Sequence, residues 1–402
     1  MPSTENNVLQ QIIKATRIIL PCTLVLLAMD IWPFFIEPLS RGQTIGRDAY
    51  NFWAAGMLAF EGRTSEIYNN EAFSLAIKQL LGPEAGLHVF PYPPPALLGV
   101  AAFGWLSYEA TLIVWSIIGF LAFFFAINLP DFKRNIVWLT ILMPLVWCNI
   151  VLGQNGLLTA ALFIGGLRLA HNRPILAGIL IGCLAYKPTL AVLIPFALLF
   201  ERRWIVIISA AITLLILCLL PTLIWGTQVW IDYLKLAVPF QSLLLERGTG
   251  LAQTMKLTPF MSMRLLNYEV NTAYIIQILF SLATITIISI YFFKRKIINL
   301  FNGIDILILS IATILIIPYT HFYDLSLITG SILLLIKQNI ANSTSLLAKS
   351  HTLTIIYMTP IIGLLLNIFI VPITPIIFLI ALFILCFGKN QIFPQFHKAD
   401  VV

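Results

Sequence analysis

Seven polar residues stand inside or beside apolar segments of the sequence and could together do chemistry. They are two carboxylates, a lysine, a histidine, a tyrosine and two amides: Asp48, Tyr92, Gln154, Asn155, Lys187, His321 and Asp324. A carboxylate can take the proton of a hydroxyl as a general base. Cationic side chains can bind a phosphate and stabilise the charge that develops as it leaves. The set therefore suits group transfer from a phosphorylated substrate.

Other reaction classes fit this set less well. A phosphate is a good leaving group, so one carboxylate is sufficient, whereas a glycoside hydrolase normally uses a pair of carboxyl groups at a set spacing. The sequence has no Gly-rich phosphate loop and no GxSxG or HExxH motif. It also has no spacing typical of a metal site, so no metal ligands and no required cofactor can be read from it, and metal dependence stays open.

Three of these positions also have an interpretation without chemistry. Asp is a favoured N-cap residue, so Asp48 can simply begin the helix predicted over 49–60. The FPYPPP segment around Tyr92 can extend the chain. GQNG, at 153–156, is a good turn sequence. The sequence alone leaves these alternatives open, and His88 in the same loop as Asp48 is interpreted as a solvated residue.

The remaining ionisable residues differ in how easily they are explained. His321 and Asp324 are three residues apart and can form an internally satisfied pair. Lys187 interrupts an apolar stretch that begins LAGILIGCLAY and continues PTLAVLIP. Ionisable residues at membrane depth are costly and usually functional. A lysine at this position needs an anion, which the structure of the chain or a substrate must provide.

The composition shows which elements must position these side chains. Hydrophobic residues make up 59% of the 402 residues and charged residues only 10%, with a mean hydropathy of +0.95. A soluble domain carries about 25% charged residues. Several continuous apolar runs of roughly 20 residues predict helices that cross a membrane, and a barrel would alternate instead. The fold class expected is an all-α polytopic membrane protein.

The basic residues give the predicted orientation. The net charge of +7 does not indicate a nucleic-acid partner, because most Lys and Arg lie in short connections between apolar runs. Placing these connections in the cytoplasm puts both termini inside and predicts about 12 transmembrane helices, within 11–13. The uncertain segment is 93–129, which crosses a net single time. Two long outer loops, 38–92 and 226–272, remain, and the first should hold juxtamembrane helices.

This topology brings the polar set to one side of the membrane. The stretch 174–200 must enter and return, turning at Lys187-Pro188, since basic residues flank both of its ends. The whole chain, 1–402, is expected to be a single domain. Its first half, 1–204, holds most of the motifs, and 205–402 supplies the remaining helices. All seven polar residues then lie on the outer, extracytoplasmic side.

Five segments together resemble glycosyltransferase family 87, which belongs to the GT-C superfamily of integral membrane enzymes. They are RDAYNFWAAGMLAFEGRTSEIY, FPYPPPALL, NIVLGQNGLLTAAL, PILAGILIGCLAYKPTLAVLIPFAL and the ERRW that follows. Each segment is a weak signal, and their order and spacing over 46–204 make the combination specific. PYTHFYDL, at 318–325, resembles a later His-containing outer turn of the family. The resemblance implies a GT-C-like helical bundle.

The resemblance also implies roles for the polar residues. Asp48 matches the family's first-loop aspartate and would be the general base. His321 and Lys187 would contact the donor phosphate or orient the acceptor, and Gln154 and Tyr92 would shape the site. Arg47 and Asp324 are further candidates for binding substrate. The chain departs from the family pattern at Arg47 and at Asn155, which follows Gln154 directly.

The same resemblance implies the substrates and the location. The donor would be a polyprenyl-phosphate sugar, carrying a hexose or pentose such as mannose. The acceptor would be a lipid or glycan, reached from the extracytoplasmic face of a cell's inner (plasma) membrane. The lipid bilayer is then a partner of the chain. Two other classes stay open: a transporter or flippase of polyprenyl-linked sugars, and a non-catalytic membrane component of envelope assembly.

Overall fold

The computed structural model describes residues 5–36, 46–82, 88–295, 301–339 and 349–388. Within these ranges the chain is helical, with no β-strand and one isolated antiparallel bridge between Lys256 and His321. The predicted all-α fold class is confirmed. The chain termini, which were predicted to be cytoplasmic, and parts of the first outer loop lie outside the described ranges.

The described part of the first half of the chain forms twelve α-helices. They are α1 (Glu5–Ile36), α2 (Arg47–Phe60), α3 (Thr64–Tyr68), α4 (Asn70–Leu81), α5 (Pro95–Ala101), α6 (Tyr108–Asn128), α7 (Arg134–Ile141), α8 (Pro144–Leu152), α9 (Gly156–Leu169), α10 (Pro174–Cys183), α11 (Ile194–Phe200) and α12 (Trp204–Trp225). Two short 3-10 helices, Leu184–Tyr186 and Pro188–Ala191, join α10 to α11. Within 46–82 the first long loop therefore forms helices α2, α3 and α4, and 88–92 is not helical.

The second half adds nine α-helices in its described part. They are α13 (Gln228–Asp232), α14 (Val238–Arg247), α15 (Leu251–Thr254), α16 (Pro259–Leu265), α17 (Val270–Lys294), α18 (Gly303–Ile316), α19 (Ser326–Asn339), α20 (Ser350–Ile368) and α21 (Thr374–Phe387). A π-helical turn, Tyr233–Ala237, joins α13 to α14, and a 3-10 turn, Phe322–Leu325, precedes α19. Helices α13 to α16 occupy the second long loop.

The chain is a multi-pass membrane protein. Six helical segments of the described residues are long and apolar enough to cross a bilayer: Val8–Met29, Tyr108–Asn128, Arg134–Leu152, Trp204–Trp225, Val270–Lys294 and Ser350–Ile368. Five further apolar helices are shorter: Gly156–Leu169, Pro174–Tyr186, Pro188–Phe200, Gly303–Ile316 and Thr374–Phe387. The number of about 12 crossings stays a prediction. Segment 93–129 contains one long helix, α6, preceded by the short α5.

The stretch 174–200 forms a hairpin whose two ends lie together. The side chains of His171 and Arg203, which flank it, approach to 3.5 Å. Ser209, near the start of α12, donates to the carbonyl of Ile175 at 2.8 Å, so α10 and α12 begin at the same end of the bundle. The chain reverses at Lys187, where the helix is interrupted. The predicted reversal of this segment at Lys187-Pro188 is confirmed, and its entry into the membrane stays a prediction.

Cationic side chains gather at the end of the bundle where this hairpin begins and ends. There Lys337 donates to the carbonyls of Ile127, Asn128 and Leu129, at the end of α6. Arg168, at the end of α9, donates to the carbonyl of Ala126 at 2.7 Å. We call this the cationic end. Helices of 14 residues or more separate it from the opposite end by about 20 Å.

A buried ion network ties the base of the hairpin to two other helices at the cationic end. Arg295 pairs with Glu201, just after α11, at 3.2 Å and with Asp305 in α18 at 3.0 Å. Asp305 also accepts from the hydroxyl of Tyr291 at 2.7 Å and forms a capping box with Asn302. The charged side chains of Arg295, Glu201 and Asp305 are at most 2% exposed, so this network fixes the position of the hairpin at the cationic end.

Candidate active site

The GQNG turn between α8 and α9 holds the start of α2. Gly153 has a φ of +67°, and a Cβ there would lie 2.5 Å from the Cβ of Ala49, so only glycine fits. The backbone N–H of Gly46 donates to the carbonyl of Val151 at 3.0 Å. The hydroxyl of Tyr108, at the start of α6, donates to the carbonyl of Gly46 at 2.8 Å. Three elements thus fix the first turn of α2.

Asp48 lies in this first turn and faces the GQNG turn. The N-cap residue of α2 is Gly46 and the helix begins at Arg47, so the interpretation of Asp48 as the N-cap is wrong. Instead, the side-chain amide of Gln154 donates to the Asp48 carboxylate at 2.5 Å. Arg47 is half exposed, and its Nε lies 3.9 Å from the same carboxylate. The first turn therefore presents a carboxylate held by an amide.

Asn155, the next residue of the turn, contacts Lys187, the cation of the site. Its Oδ1 accepts from the Lys187 ammonium at 3.1 Å. Lys187 also donates to Oδ1 of Asp324 at 2.6 Å, and this pair is mostly buried, with side chains 14% and 1% exposed. The anion that Lys187 requires is thus present in the chain itself. The neighbouring side chains of Gln154 and Asn155 thus bind the Asp48 carboxylate and the Lys187 ammonium, respectively.

The turn that carries Asp324 packs directly on the GQNG turn. A Cβ at Gly156 would lie 2.6 Å from the carbonyl oxygen of Tyr323, so glycine permits this approach. The side-chain amide of Asn149 donates to the same carbonyl at 3.2 Å and to the hydroxyl of Ser326 at 2.9 Å. These contacts explain how residues more than 150 positions apart in the chain form one cluster.

His321 contacts Asp324 through its backbone. Its N–H donates to Oδ2 of Asp324 at 3.3 Å, while its ring stacks on Tyr323 with centroids 5.1 Å apart. Burial holds the pKa of His321 well below its usual value, and the charges of Lys256 and Lys187 lower it further. The imidazole is therefore neutral, with one donor and one acceptor, and its N–H donates to the carbonyl of Tyr319. The His321 side chain in turn accepts from the backbone N–H of Asp324, so the two residues form the internally satisfied pair that the sequence allowed.

Two tyrosine rings, those of Tyr92 and Tyr186, line the site near the carboxylates of Asp48 and Asp324. Tyr92 stacks on Tyr186, with centroids 6.4 Å apart, and Tyr186 bonds the hydroxyl of Thr159. Burial raises the pKa of Tyr92 above its usual value, and the nearby carboxylates of Asp324 and Asp48 raise it further. Tyr92 therefore lies close to both acids and stays protonated, as a hydrogen-bond donor.

The two carboxylates differ in access. The side chain of Asp48 is 28% exposed, whereas that of Asp324 is 1% exposed and paired with Lys187. Asp48 is therefore the carboxylate that a substrate can reach. Among the described residues no group of three or more His, Cys, Asp or Glu side chains could hold a metal ion. The structure brings together all seven polar residues picked from the sequence, with Arg47 at the edge.

Two residues near the site were not recognised from the sequence. His88, expected to be solvated, is buried and bonds the side-chain oxygen of Asn51 at 2.8 Å, so that expectation is wrong. Burial lowers the pKa of His88 to about 4, with the nearby charge of Arg47 contributing. Lys256 is also buried, beside His321. The sequence signal that could have indicated the burial of Lys256 is its position between two apolar residues, Met255 and Leu257.

The comparison with known protein families identifies the chain. The model of glycosyltransferase family 87 matches residues 90–318, which is more than half of the 402 residues. The chain belongs to glycosyltransferase family 87. No curated protein and no solved structure matches it. As a member of family 87 with several membrane-spanning helices, the chain is a membrane glycosyltransferase.

The region that matches family 87 contains some residues of the site, and the others lie before its start or after its end in the sequence. It includes Tyr92, Gln154 and Lys187, and it excludes Asp48 and Asp324. The hydrogen bond from Gln154 and the ion pair with Lys187 connect these two acids to the matched region. The site thus combines residues inside the family region with residues on both flanks of it.

Proposed function

We propose that this family 87 enzyme transfers a hexose or pentose, mannose-like in type, from a polyprenyl-phosphate sugar to a lipid or glycan acceptor. Asp48 is the general base. The observation that carries the proposal is that adjacent residues, Gln154 and Asn155, bind the Asp48 carboxylate and the Lys187 ammonium. Base and cation therefore lie close enough to act on one small substrate.

The reaction requires one proton transfer and the breaking of one bond. The acceptor hydroxyl loses its proton to the Asp48 carboxylate as its oxygen bonds to the anomeric carbon of the sugar. The bond between that carbon and the phosphate oxygen breaks, and the electron pair stays on the phosphate. The products are the glycosylated acceptor and polyprenyl phosphate. No second carboxylic acid is needed, because the leaving group is a phosphate.

The other residues of the site bind and orient the substrates. Lys187 donates to Asp324 and Asn155 and so keeps one ammonium donor for a phosphate oxygen. His321 lies beside this pair, and its N–H contacts the donor phosphate by leaving the carbonyl of Tyr319. Arg47 is half exposed beside the base, where an acceptor enters. Gln154 and Tyr92 shape the site. Asp324 holds Lys187 in place.

The orientation follows from charge. Lys337 and Arg168 cluster at the cationic end, and Asp48 and Lys187 lie at the other end of the same helices. Cytoplasmic connections carry an excess of Lys and Arg. The active site then faces the extracytoplasmic side of the inner (plasma) membrane, where a lipid-linked donor is available and a nucleotide sugar is not.

The test is transfer by purified protein in liposomes, from labelled polyprenyl-phosphate mannose to an envelope glycolipid extract. Asp48→Asn should lower the rate by about 10²–10⁴-fold, since general base catalysis contributes that much. Asp232→Asn is the matched control, because Asp232 also accepts from a glutamine side chain, Gln228, at 2.7 Å but lies in the second long loop. Equal rates in the wild type and Asp48→Asn would reject Asp48 as the base.

A further inference from the structure

Lys256 is a buried cation at the same end of the bundle as the active site. It is 7% exposed, and its backbone forms the isolated bridge with His321. The N–H of Phe322 donates to the carbonyl of Met255 at 2.8 Å, and the side-chain amide of Asn367 donates to the carbonyl of Lys256 at 3.2 Å. Lys256 is thus held beside a residue of the site by two neighbouring elements.

The ammonium of Lys256 lacks the partners that a buried cation normally has. Among the described residues its one hydrogen-bond partner is Oε1 of Gln253, at 2.7 Å, and no carboxylate pairs with it. Lys337, buried at the cationic end, instead binds three carbonyls. A buried charge without a counter-ion is costly. The Lys256 ammonium therefore has N–H donors without an acceptor and no anion to balance its charge.

The backbone bridge places the Lys256 side chain on the same face as the side chain of His321, because paired residues of an antiparallel bridge point to the same side. The charge of Lys256 accordingly acts on the His321 imidazole, as does that of Lys187. An ammonium with unused donors on the face of the bridge that carries a residue of the site suits an oxygen atom of a phosphate.

We propose that Lys256 binds a non-bridging oxygen of the donor's phosphate and supplies the counter-charge for the polyprenyl phosphate that leaves. This inference rests on the proposed function and adds to it a residue from the second long loop. Lys187 is already neutralised by Asp324, so Lys256 is the buried cation of the site that an anionic substrate compensates. As the bond to the sugar breaks, the phosphate gains a second negative charge, which the ammonium stabilises.

The first experiment measures the kinetics of Lys256→Met and Lys256→Arg with the labelled donor. Losing a charge-assisted hydrogen bond should raise KM for the donor about 10- to 100-fold in Lys256→Met. Lys256→Arg, which keeps the charge, should restore most of the affinity. KM for the acceptor should stay unchanged. Lys235→Met is the matched control, because Lys235 is an exposed lysine of the same loop.

A pH series separates phosphate binding from packing. Burial lowers the pKa of Lys256 to about 8, so the ammonium is charged below that pH and loses its charge above it. The charged or titratable groups around it are His321, which is neutral, and the Lys187–Asp324 pair. KM for the donor in the wild type should therefore rise as the pH passes 8. In Lys256→Arg this rise should be absent.

Binding without catalysis makes the inference independent of the reaction. Farnesyl phosphate should raise the unfolding temperature of the wild type, and farnesol should not, because only the former is an anion. Lys256→Met should unfold at the same or a higher temperature than the ligand-free wild type, since it removes an uncompensated buried charge. It should also lose the response to farnesyl phosphate.

The outcomes distinguish two failures. If the wild type transfers sugar and Lys256→Met keeps the donor KM and the farnesyl phosphate response, the inference about Lys256 is refuted while the proposed function stands. If Lys256→Met instead unfolds at a much lower temperature, Lys256 has a structural role and the inference is again refuted. If the wild type transfers no sugar but farnesyl phosphate binds through Lys256, the proposed reaction fails and the phosphate site remains.

Discussion

The Lys187–Asp324 pair provides a quantitative test of the architecture of the site. Lys187→Met leaves the Asp324 carboxylate, 1% exposed, with a backbone N–H of His321 at 3.3 Å. Removing one partner of a buried ion pair costs about 3–5 kcal/mol. Asp324→Asn should cost less, about 1–3 kcal/mol, because Lys187 is 14% exposed and keeps Asn155. The double variant removes both charges and should cost less than the sum by at least about 2 kcal/mol.

The assay is equilibrium unfolding of the purified protein in mixed micelles, with increasing mole fraction of dodecyl sulfate. Four proteins complete the cycle: the wild type, Lys187→Met, Asp324→Asn and the double variant. An exposed ion pair would give single effects of about 0–1 kcal/mol that simply add. Additive effects of that size would refute the reasoning, because they would mean that Lys187 and Asp324 do not meet in a buried site.

Two further predictions test how the GQNG turn holds Asp48, the proposed base. Gly153→Ala should lower the transfer rate by about 100-fold, because its Cβ would lie 2.5 Å from Ala49 and displace α2. Gly226→Ala is the control and should keep its activity in the same assay, because Gly226 also has a positive φ, of +82°, but has open space around it. Gln154→Glu should raise the pKa of Asp48, because the two carboxylates repel each other, and so move the acid limb of the pH–rate profile upward by about one unit or more; an unmoved profile would contradict the contact, and Gln228→Glu, beside Asp232, is the control.

Much of the arrangement could be predicted from the sequence, because topology follows from simple patterns. Apolar runs and basic connections were enough to bring Asp48, Gln154 and Lys187 to one end of the bundle. The interruption at Lys187-Pro188 correctly predicted a turning point between two short helices. These inferences depend on hydropathy and charge, which act locally along the chain.

The pairing of individual side chains could not be predicted in the same way. Lys187 binds Asp324, 137 positions later, only because Gly156 lets the GQNG turn approach the carbonyl of Tyr323. His88 was misjudged for a similar reason, since its burial depends on packing against Asn51 in α2. Such contacts are decided by close packing between helices, and hydropathy carries no information about them.

The buried arginine network at the base of the hairpin has a consequence for how the enzyme responds to its membrane. Neither arm of the hairpin is long enough to cross about 30 Å of hydrocarbon. The position of Lys187 relative to α17 and α18 is therefore set by the contact of Glu201 with Arg295 rather than by lipid thickness. Thinner or thicker membranes should change how easily the proposed lipid-linked donor arrives, and leave the distance between Asp48 and Lys187 as it is.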